Sequence, residues 1–404
     1  MALKYLYVPS GYKAGTAYGV LPNEANADFA FVRGSAATRI NSDGLLESEV
    51  TNVPRLDYTD GSCPTLLTEP QRANLAKYSE QIYSWGKNPD TSSVIVRSEV
   101  EVSPDGNMTA DVISVLTQYD GVFTQGITTI VGANYSCSAY VKHIAGSSKI
   151  RVGVTKYFYS TTPTNPTKYI IVDLSNGSII SNEVSSFAEA KVVDAGNGWY
   201  RLIIEGMTIP VGGGGTAHFV VYSYEEAFTE FSVWGGQIEV GDYTSSYIPN
   251  LSSGTSTRAA DTGVISGDLS SYINSSEGVL EIKAKALFNG GNDCRITLSD
   301  GTNNNRVGLI WFSSPNNTSL IIQKDATTVI SSNLNIDQTL MTTFKIKWKS
   351  GDIQVKVNGT LVLTDTSTFS GLVLDQLSFS KGTETSFFEG NVQYIKVYDS
   401  ATDF

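Results

Sequence analysis

From about residue 90 onward, apolar and polar side chains alternate with a period of two, the pattern of strands buried on one face. Tyr135, Cys137, Ala139 and Val141 fall on one side of such a run, and Ser136, Ser138, Tyr140 and Lys142 on the other. In 149–159, Ile150, Val152, Val154 and Phe158 alternate with Arg151, Thr155, Tyr157 and Tyr159. Further on, Phe219, Val221 and Ser223 alternate with Val220, Tyr222 and Tyr224. Asn176-Gly177 and Asn197-Gly198 read as hairpin turns. Residues 87–258 therefore predict one antiparallel sandwich of jelly-roll type. Residues 259–404 repeat the architecture with different sequence: 279–287, 306–312 and 344–348 are strand-like, and 353–357 turns through Asn358-Gly359 into 361–363. Phe344, Ile346 and Trp348 share one face of their run and belong to a core.

The first 86 residues behave differently. Periodicity is poor, and turn signals stand at Ser42-Asp43-Gly44 and Thr59-Asp60-Gly61. The segment reads as extended and docked on something else. One helix is expected near its end, at about 69–85: Thr68 as N-cap, Pro70 in the first turn, Gln71 closing a capping box, Leu75, Tyr78 and Ile82 at helical spacing, and Gly86 as the stop. The expected fold is thus all-β, an extended segment with one short helix followed by two antiparallel sandwiches.

Composition narrows the function classes. With 40 acidic against 28 basic residues the formal charge is −12, which argues against nucleic acid or an anionic membrane as a partner. Neutral polymers such as glycans stay open. Residues 1–19 lack the apolar run of a signal peptide and no window approaches a membrane span, so a soluble protein without a cleaved export signal is expected. Three scattered cysteines, Cys63, Cys137 and Cys294, form neither a disulfide framework nor a zinc site and are expected to be buried free thiols.

The stretch from Trp234-Gly235-Gly236-Gln237 to Tyr247-Ile248-Pro249, followed by Thr257-Arg258-Ala259-Ala260-Asp261, closes one β-rich unit and opens the next. The middle unit, with Ser103-Pro104-Asp105-Gly106, Gly198-Trp199-Tyr200-Arg201 and the closing Trp234 motif in order, resembles carbohydrate-binding jelly rolls of the family-4/9 type. The last unit resembles concanavalin-A-like or laminin-G-like sandwiches, through Phe344 to Trp348, Val357-Asn358-Gly359, and the closing run Phe388-Glu389-Gly390 to Ile395-Lys396-Val397-Tyr398-Asp399. Arg39 to Leu45, Pro54-Arg55-Leu56-Asp57-Tyr58 and Glu69-Pro70-Gln71-Arg72-Ala73-Asn74-Leu75 resemble the N-terminal attachment segment of bacteriophage virion proteins. That resemblance implies a head- or tail-borne fibre or appendage, homo-oligomeric and often trimeric. Its N-terminal segment would hold other virion proteins, and its lectin-like modules would meet cell-surface or mucosal glycans.

Candidate chemistry is sparse. Gly212 to Ala217 matches the letters of a dinucleotide fingerprint but joins two strand patterns, where a hairpin loop explains it. Glu99 with Glu101, Glu225 with Glu226, and Glu239 with Asp242 are neighbouring acids, yet none matches a strand-borne glycosidase cluster, and solvated strand ends account for them. No enzyme, cofactor or metal site is expected; Asp293 and Asp300 read as ordinary turn residues. The expected glycan-binding residues are those alternating with core positions, aromatic or basic with polar tips: Tyr140, Lys142, Arg151, Tyr157, Tyr159, Tyr222 and Tyr224. Trp311, beside the loop 313–318, is expected to be exposed and joins them, whereas Trp199 and Trp234 are expected to pack at sandwich edges. Two rivals carry distinct expectations: a purely structural decoration protein places these tyrosines in subunit contacts, and a depolymerase needs two carboxylates across a groove.

Overall fold

The computed structural model describes residues 2–89, 93–160, 167–225, 227–382 and 385–404. The chain is all-β, with antiparallel ladders throughout its named strands and only single 3-10 turns as helical structure among the described residues. It divides into two compact units, one made of residues 1–42, 48–71 and 259–404, the other of 43–47 and 72–258.

The first unit is a sandwich of an eight-stranded and a nine-stranded sheet. In one, Glu277–Ala286 pairs with Thr342–Lys349 and with Gly390–Tyr398. In the other, Cys294–Ser299 pairs with Arg306–Trp311, which pairs with Thr318–Lys324. The N-terminal segment completes both. Leu3–Tyr7 and Thr65–Thr68 add to Gly390–Tyr398, and Phe29–Val32 adds to Thr262–Ser266. Tyr5, Tyr7, Phe29, Phe31 and Leu66 thereby enter the same core as Ile282, Leu298, Phe344 and Trp348. The segment 1–86, expected to be extended and docked on something else, is divided: its first 71 residues, 43–47 apart, belong to the same unit as 259–404, and 72–86 belong to the unit 72–258, which is inserted into that chain. Sequence periodicity missed this because the strands of this segment are only two to five residues long, and the three that join the later strands, Leu3–Tyr7, Phe29–Val32 and Thr65–Thr68, have those partners hundreds of positions away.

The helix expected at 69–85 does not form. Thr68 lies in a strand and its hydroxyl donates to the Phe388 and Gly390 carbonyls, so it caps nothing. Arg72–Asn74 is a strand, Tyr78 has a left-handed backbone, and only Ile82–Ser84 makes a 3-10 turn. The buried positions are Glu69, Asn74, Ala76, Ser79, Ile82 and Trp85, which an α-helix would spread over more than half its circumference instead of gathering on one stripe. Asn74 shows why: its amide donates to the Gly236 and Ile248 carbonyls while its carbonyl accepts from the Ala76 and Ile238 amides, which ties the segment to the strand Thr229–Val240.

The inserted unit is a sandwich of two six-stranded sheets. One runs Gly86–Asn88, Gly121–Phe123, Phe219–Ser223, Lys149–Val154, Lys168–Asp173, Ser178–Asn182. The other runs Ile95–Glu101, Ala110–Val115, Thr229–Val240, Asn134–Gly146, Trp199–Thr208, Glu189–Asp194. Ile150, Val152, Val154, Phe219 and Val221 meet Cys137, Ala139, Val141, Leu202 and Phe231 in the core, the faces that alternation assigned. Asn197 and Gly198 both take positive φ, as a two-residue hairpin turn of the primed type requires. Gly212 to Gly215 lies between Trp199–Thr208 and Phe219–Ser223, strands of different sheets, so it is a crossover loop and no hairpin. Cys137 and Cys294 are buried but Cys63 is exposed, against expectation, since it sits in a turn beyond Asp57.

Candidate functional site

The residues of the motifs that mark the module boundary are occupied structurally. In the first unit, Asp261 accepts from Arg33 Nη1 at 3.1 Å, from Arg55 Nη2 and from the Glu69 amide at 2.8 Å. Arg55 also meets Glu69 at 2.6 Å, and all these side chains are essentially without solvent contact. In the inserted unit, Glu239 is fully buried and accepts from the Ser245 amide and hydroxyl and from Gln237. Burial pushes its carboxyl up, and these hydrogen bonds draw it back toward the ionised form. Networks so enclosed hold chain together and offer nothing to a ligand.

The eight expected binding residues do not form one surface. Tyr140 and Lys142 lie on the outer face of the sheet containing Asn134–Gly146. Tyr140 is covered there by Trp234 and Tyr247, with ring centroids 5.7 and 6.2 Å away, and Lys142 is paired with Glu101 at 2.9 Å. The strand Lys149–Val154 stops before Tyr157 and Tyr159, which sit in and after the 3-10 turn Lys156–Phe158. Tyr157 packs over Gly215, and Tyr159 stacks on Phe187 at 4.6 Å. Trp311 is 1% exposed and packs against Phe344 and Phe388 in the first unit's core; it faces inward because it alternates with Ile310, and the loop beside it does not change that. Trp199 and Trp234 are both buried, their indoles donating to the Val102 carbonyl and the Thr109 hydroxyl.

Arg151, Tyr222 and Tyr224 do come together, on the outer face of the other sheet. Arg151 is directly opposite Tyr222 in register. Its guanidinium carbon stands 3.6 Å from the centroid of the Tyr119 ring, 4.9 Å from Tyr224 and 5.7 Å from Tyr169. Tyr169 lies 6.1 Å from Tyr119 and 6.3 Å from Tyr222, so three tyrosine rings face one cation and a fourth, Tyr222, adjoins them. Each such contact stabilises the charge by about 0.5–2 kcal/mol, more as water is removed. Arg151 is 6% exposed and its Nη1 has no hydrogen-bond partner.

Glycines let the rings lie down. Gly153 is opposite Tyr169, and a Cβ there would reach to 2.6 Å of that ring and strike the Lys168 carbonyl. Gly121 receives Tyr222 and Gly86 receives Phe123 in the same way. Gly153→Ala is therefore expected to lift Tyr169 and cost about 1–3 kcal/mol of stability, read from the urea midpoint of the inserted unit. An unchanged midpoint would show that the ring does not depend on the bare backbone.

Loop 116–120 supplies Tyr119. It is fixed by Gln118 donating to the Tyr224 carbonyl at 2.7 Å, Asn88 donating to the Tyr119 carbonyl at 2.9 Å, and Ser223 donating to the Thr117 carbonyl at 2.5 Å. Tyr119 takes a left-handed backbone and is 44% exposed, so one wall of the cluster is open to solvent. Burial raises the Tyr222 and Tyr169 hydroxyls above their ordinary range, which keeps both as neutral donors. At the adjoining end of the same strands, Glu225 bonds Lys149 and Ser147, and Asp173 bonds Ser175 and Ser148; both carboxyls are held below their usual range by those contacts. Glu226 lies outside the described residues.

Tyr169 and Tyr119 were missed from sequence. Tyr169 was legible: Ile170 and Val172 turn inward, so Tyr169 and Ile171 face out beside Arg151. Tyr119 was not, since a loop side chain carries no periodicity.

Among the described residues no group of three or more His, Cys, Asp or Glu is placed to hold a metal. Asp300 and Asp293 serve their turns, bonding Thr302 and Asn305, and Ser313. No family model matches the chain, and no curated protein does. Among solved structures it is similar to domain 4 of an extracellular GH43 arabinanase from Geobacillus stearothermophilus, solved with arabinotriose. That likeness has 13% identity and a TM-score of 0.29 over 40% of this chain and 82% of the other. It is also similar to domains LG4-5 of the mouse laminin alpha1 chain, with 9% identity and a TM-score of 0.26 over 70% of this chain and 86% of the other. Scores this low carry nothing about activity.

Proposed function

We propose that this protein is a non-enzymatic adhesion module that binds glycans on the Tyr119, Arg151, Tyr169, Tyr222 and Tyr224 face of its inserted sandwich. The observation that carries this reading is a buried guanidinium enclosed by tyrosine faces, with one N–H unpartnered and one aromatic wall open. Sugar rings offer apolar C–H faces to aromatics, and the exposed Tyr119 ring presents one; the Arg151 donor lies buried behind it and would be reached when that ring moves. Asp173 and Glu225 at the strand ends favour ionisation, whereas a glycosidase acid needs its proton held to higher pH. Oligomeric copies would turn shallow single contacts into avidity.

The virion part of the proposal, an appendage on a phage particle, rests on the resemblance of the N-terminal runs; mass spectrometry of purified particles tests it. Glycan-array binding by the oligomer tests the first part. Tyr119→Ala and Tyr224→Ala are each expected to weaken a bound glycan about tenfold, near the upper end of one aromatic contact, while the melting temperature falls by only about 2–6 °C and the unit stays folded. Absence of any glycan binding would move the protein to a purely structural role, and release of sugar fragments would make it a depolymerase.

A further inference from the structure

The nine-stranded sheet of the first unit carries a second unusual pair of cations. On Cys294–Ser299 the residues Cys294, Ile296 and Leu298 turn into the core, so Arg295, Thr297 and Ser299 face outward. Across the ladder, Arg295 is opposite Ile310, Thr297 opposite Gly308, and Ser299 opposite Arg306. The next strand sets Ser319, Ile321 and Gln323 against Ile310, Gly308 and Arg306. Arg295 and Arg306 thus stand at the two ends of a short polar floor, lowered at its middle by Gly308.

Both arginines are more than nine-tenths buried, at 9% and 6% exposure. Arg306 Nη1 donates to Asn303 Oδ1 at 3.1 Å and reaches the Lys381 carbonyl at 3.5 Å, both uncharged acceptors. Its Nε has no acceptor, nor do Nε and Nη1 of Arg295. Arg33 and Arg55 in the same unit show the alternative, each buried against the Asp261 carboxylate. Burial lowers the pKa of both outward-facing guanidinium groups, and the charge of Arg295 adds to the effect on Arg306, which falls to about 10. The Asp293 charge offsets part of this at Arg295, but among the described residues neither guanidinium forms a salt bridge, and two enclosed like charges so placed are costly. Planar guanidinium donors match the oxygens of carboxylate, phosphate and sulfate.

Thr297 between them is fully buried, its hydroxyl donating to the Ser380 carbonyl, so an anion would be held by the two arginines alone. We propose that Arg295 and Arg306 form an oxyanion-binding site, in which both donate to one carboxylate, phosphate or sulfate group. The site is distinct from the tyrosine face and independent of it. With a chain charge of −12, long-range attraction of polyanions is weak, so recognition rests on direct contact at the two arginines.

The experiment melts the full chain in millimolar sodium sulfate or potassium phosphate against sodium chloride at equal ionic strength. The parent should gain about 3 °C in the sulfate or phosphate series. Arg295→Met and Arg306→Met should lose that gain, and in chloride Arg306→Met should melt no lower than the parent because an unpartnered charge has gone. Glu384, which lies outside the described residues, is checked by Glu384→Gln, which should match the parent in both salts. Equal gains in parent and arginine variants, or no gain at all, would overturn the site. So would a chloride melting point that falls several degrees in both Glu384→Gln and Arg306→Met, which would make the glutamate the natural counter-ion. Sulfated, phosphorylated and uronate oligosaccharides beside neutral ones then separate the sources. Binding that sulfate displaces and Arg295→Met abolishes assigns a polymer-borne anion, and a response to inorganic ions alone assigns a free one.

Discussion

Asp261→Asn is expected to cost the sandwich built from residues 1–42, 48–71 and 259–404 about 3–5 kcal/mol. The substitution keeps the size of the side chain and removes one negative charge. Arg33 and Arg55, both wholly buried, then lose the carboxylate they have in common, Arg55 keeps Glu69, and the Glu69 amide loses a charged acceptor. A guanidinium that loses a carboxylate in so dry a place cannot be rehydrated without opening the structure. Hydrogen exchange on Glu277–Ala286 and Gly390–Tyr398 measures the loss, and the strands of residues 72–258 serve as the internal reference. Unchanged protection in the first set would mean that water or a rearranged partner satisfies the arginines. The network draws Arg55, Glu69 and Asp261 from three separate runs of sequence, each of which read as a marker of attachment or of a module boundary. Their chemistry is spent on joining those runs.

Trp311→Ala should have an effect of similar size, about 3–5 kcal/mol, because it empties the largest kind of side chain from a core. Trp311 is in edge-to-face contact with Phe344 at 6.0 Å and meets Phe388 at 4.7 Å, so the cavity would be lined by rings that collapse poorly. The urea midpoint of the first unit should fall sharply, while glycan affinity of the folded protein stays at the parent value. The opposite outcome, an intact midpoint with lost binding, would restore Trp311 as a ligand contact.

The candidate site was half legible. Period-two alternation placed Arg151, Tyr222 and Tyr224 on the outside of their strands, and they are there. The same logic placed Tyr140 and Lys142 outside, also correctly, but on the other sheet and beneath Trp234 and Tyr247 in the case of Tyr140. Alternation separates inside from outside within one strand; it does not say which of two sheets a strand joins or what later covers its outer face. Tyr157 and Tyr159 failed for a local reason, the chain leaving the pleat at Thr155 for a 3-10 turn.

What the sequence alone determined is the all-β class, the two sandwich cores and the faces that build them, since Ile150, Val152 and Val154 or Phe344, Ile346 and Trp348 must leave water whatever their partners are. The tertiary structure decided the partners. Leu3–Tyr7 against Gly390–Tyr398, the insertion of 72–258 into that sandwich, and the tyrosine enclosure of Arg151 each depend on contacts between distant residues. A strand's hydrogen-bonding edge is nearly the same for any sequence. Pairing of this kind is therefore settled by which assembly buries the most apolar surface and leaves the fewest charges alone.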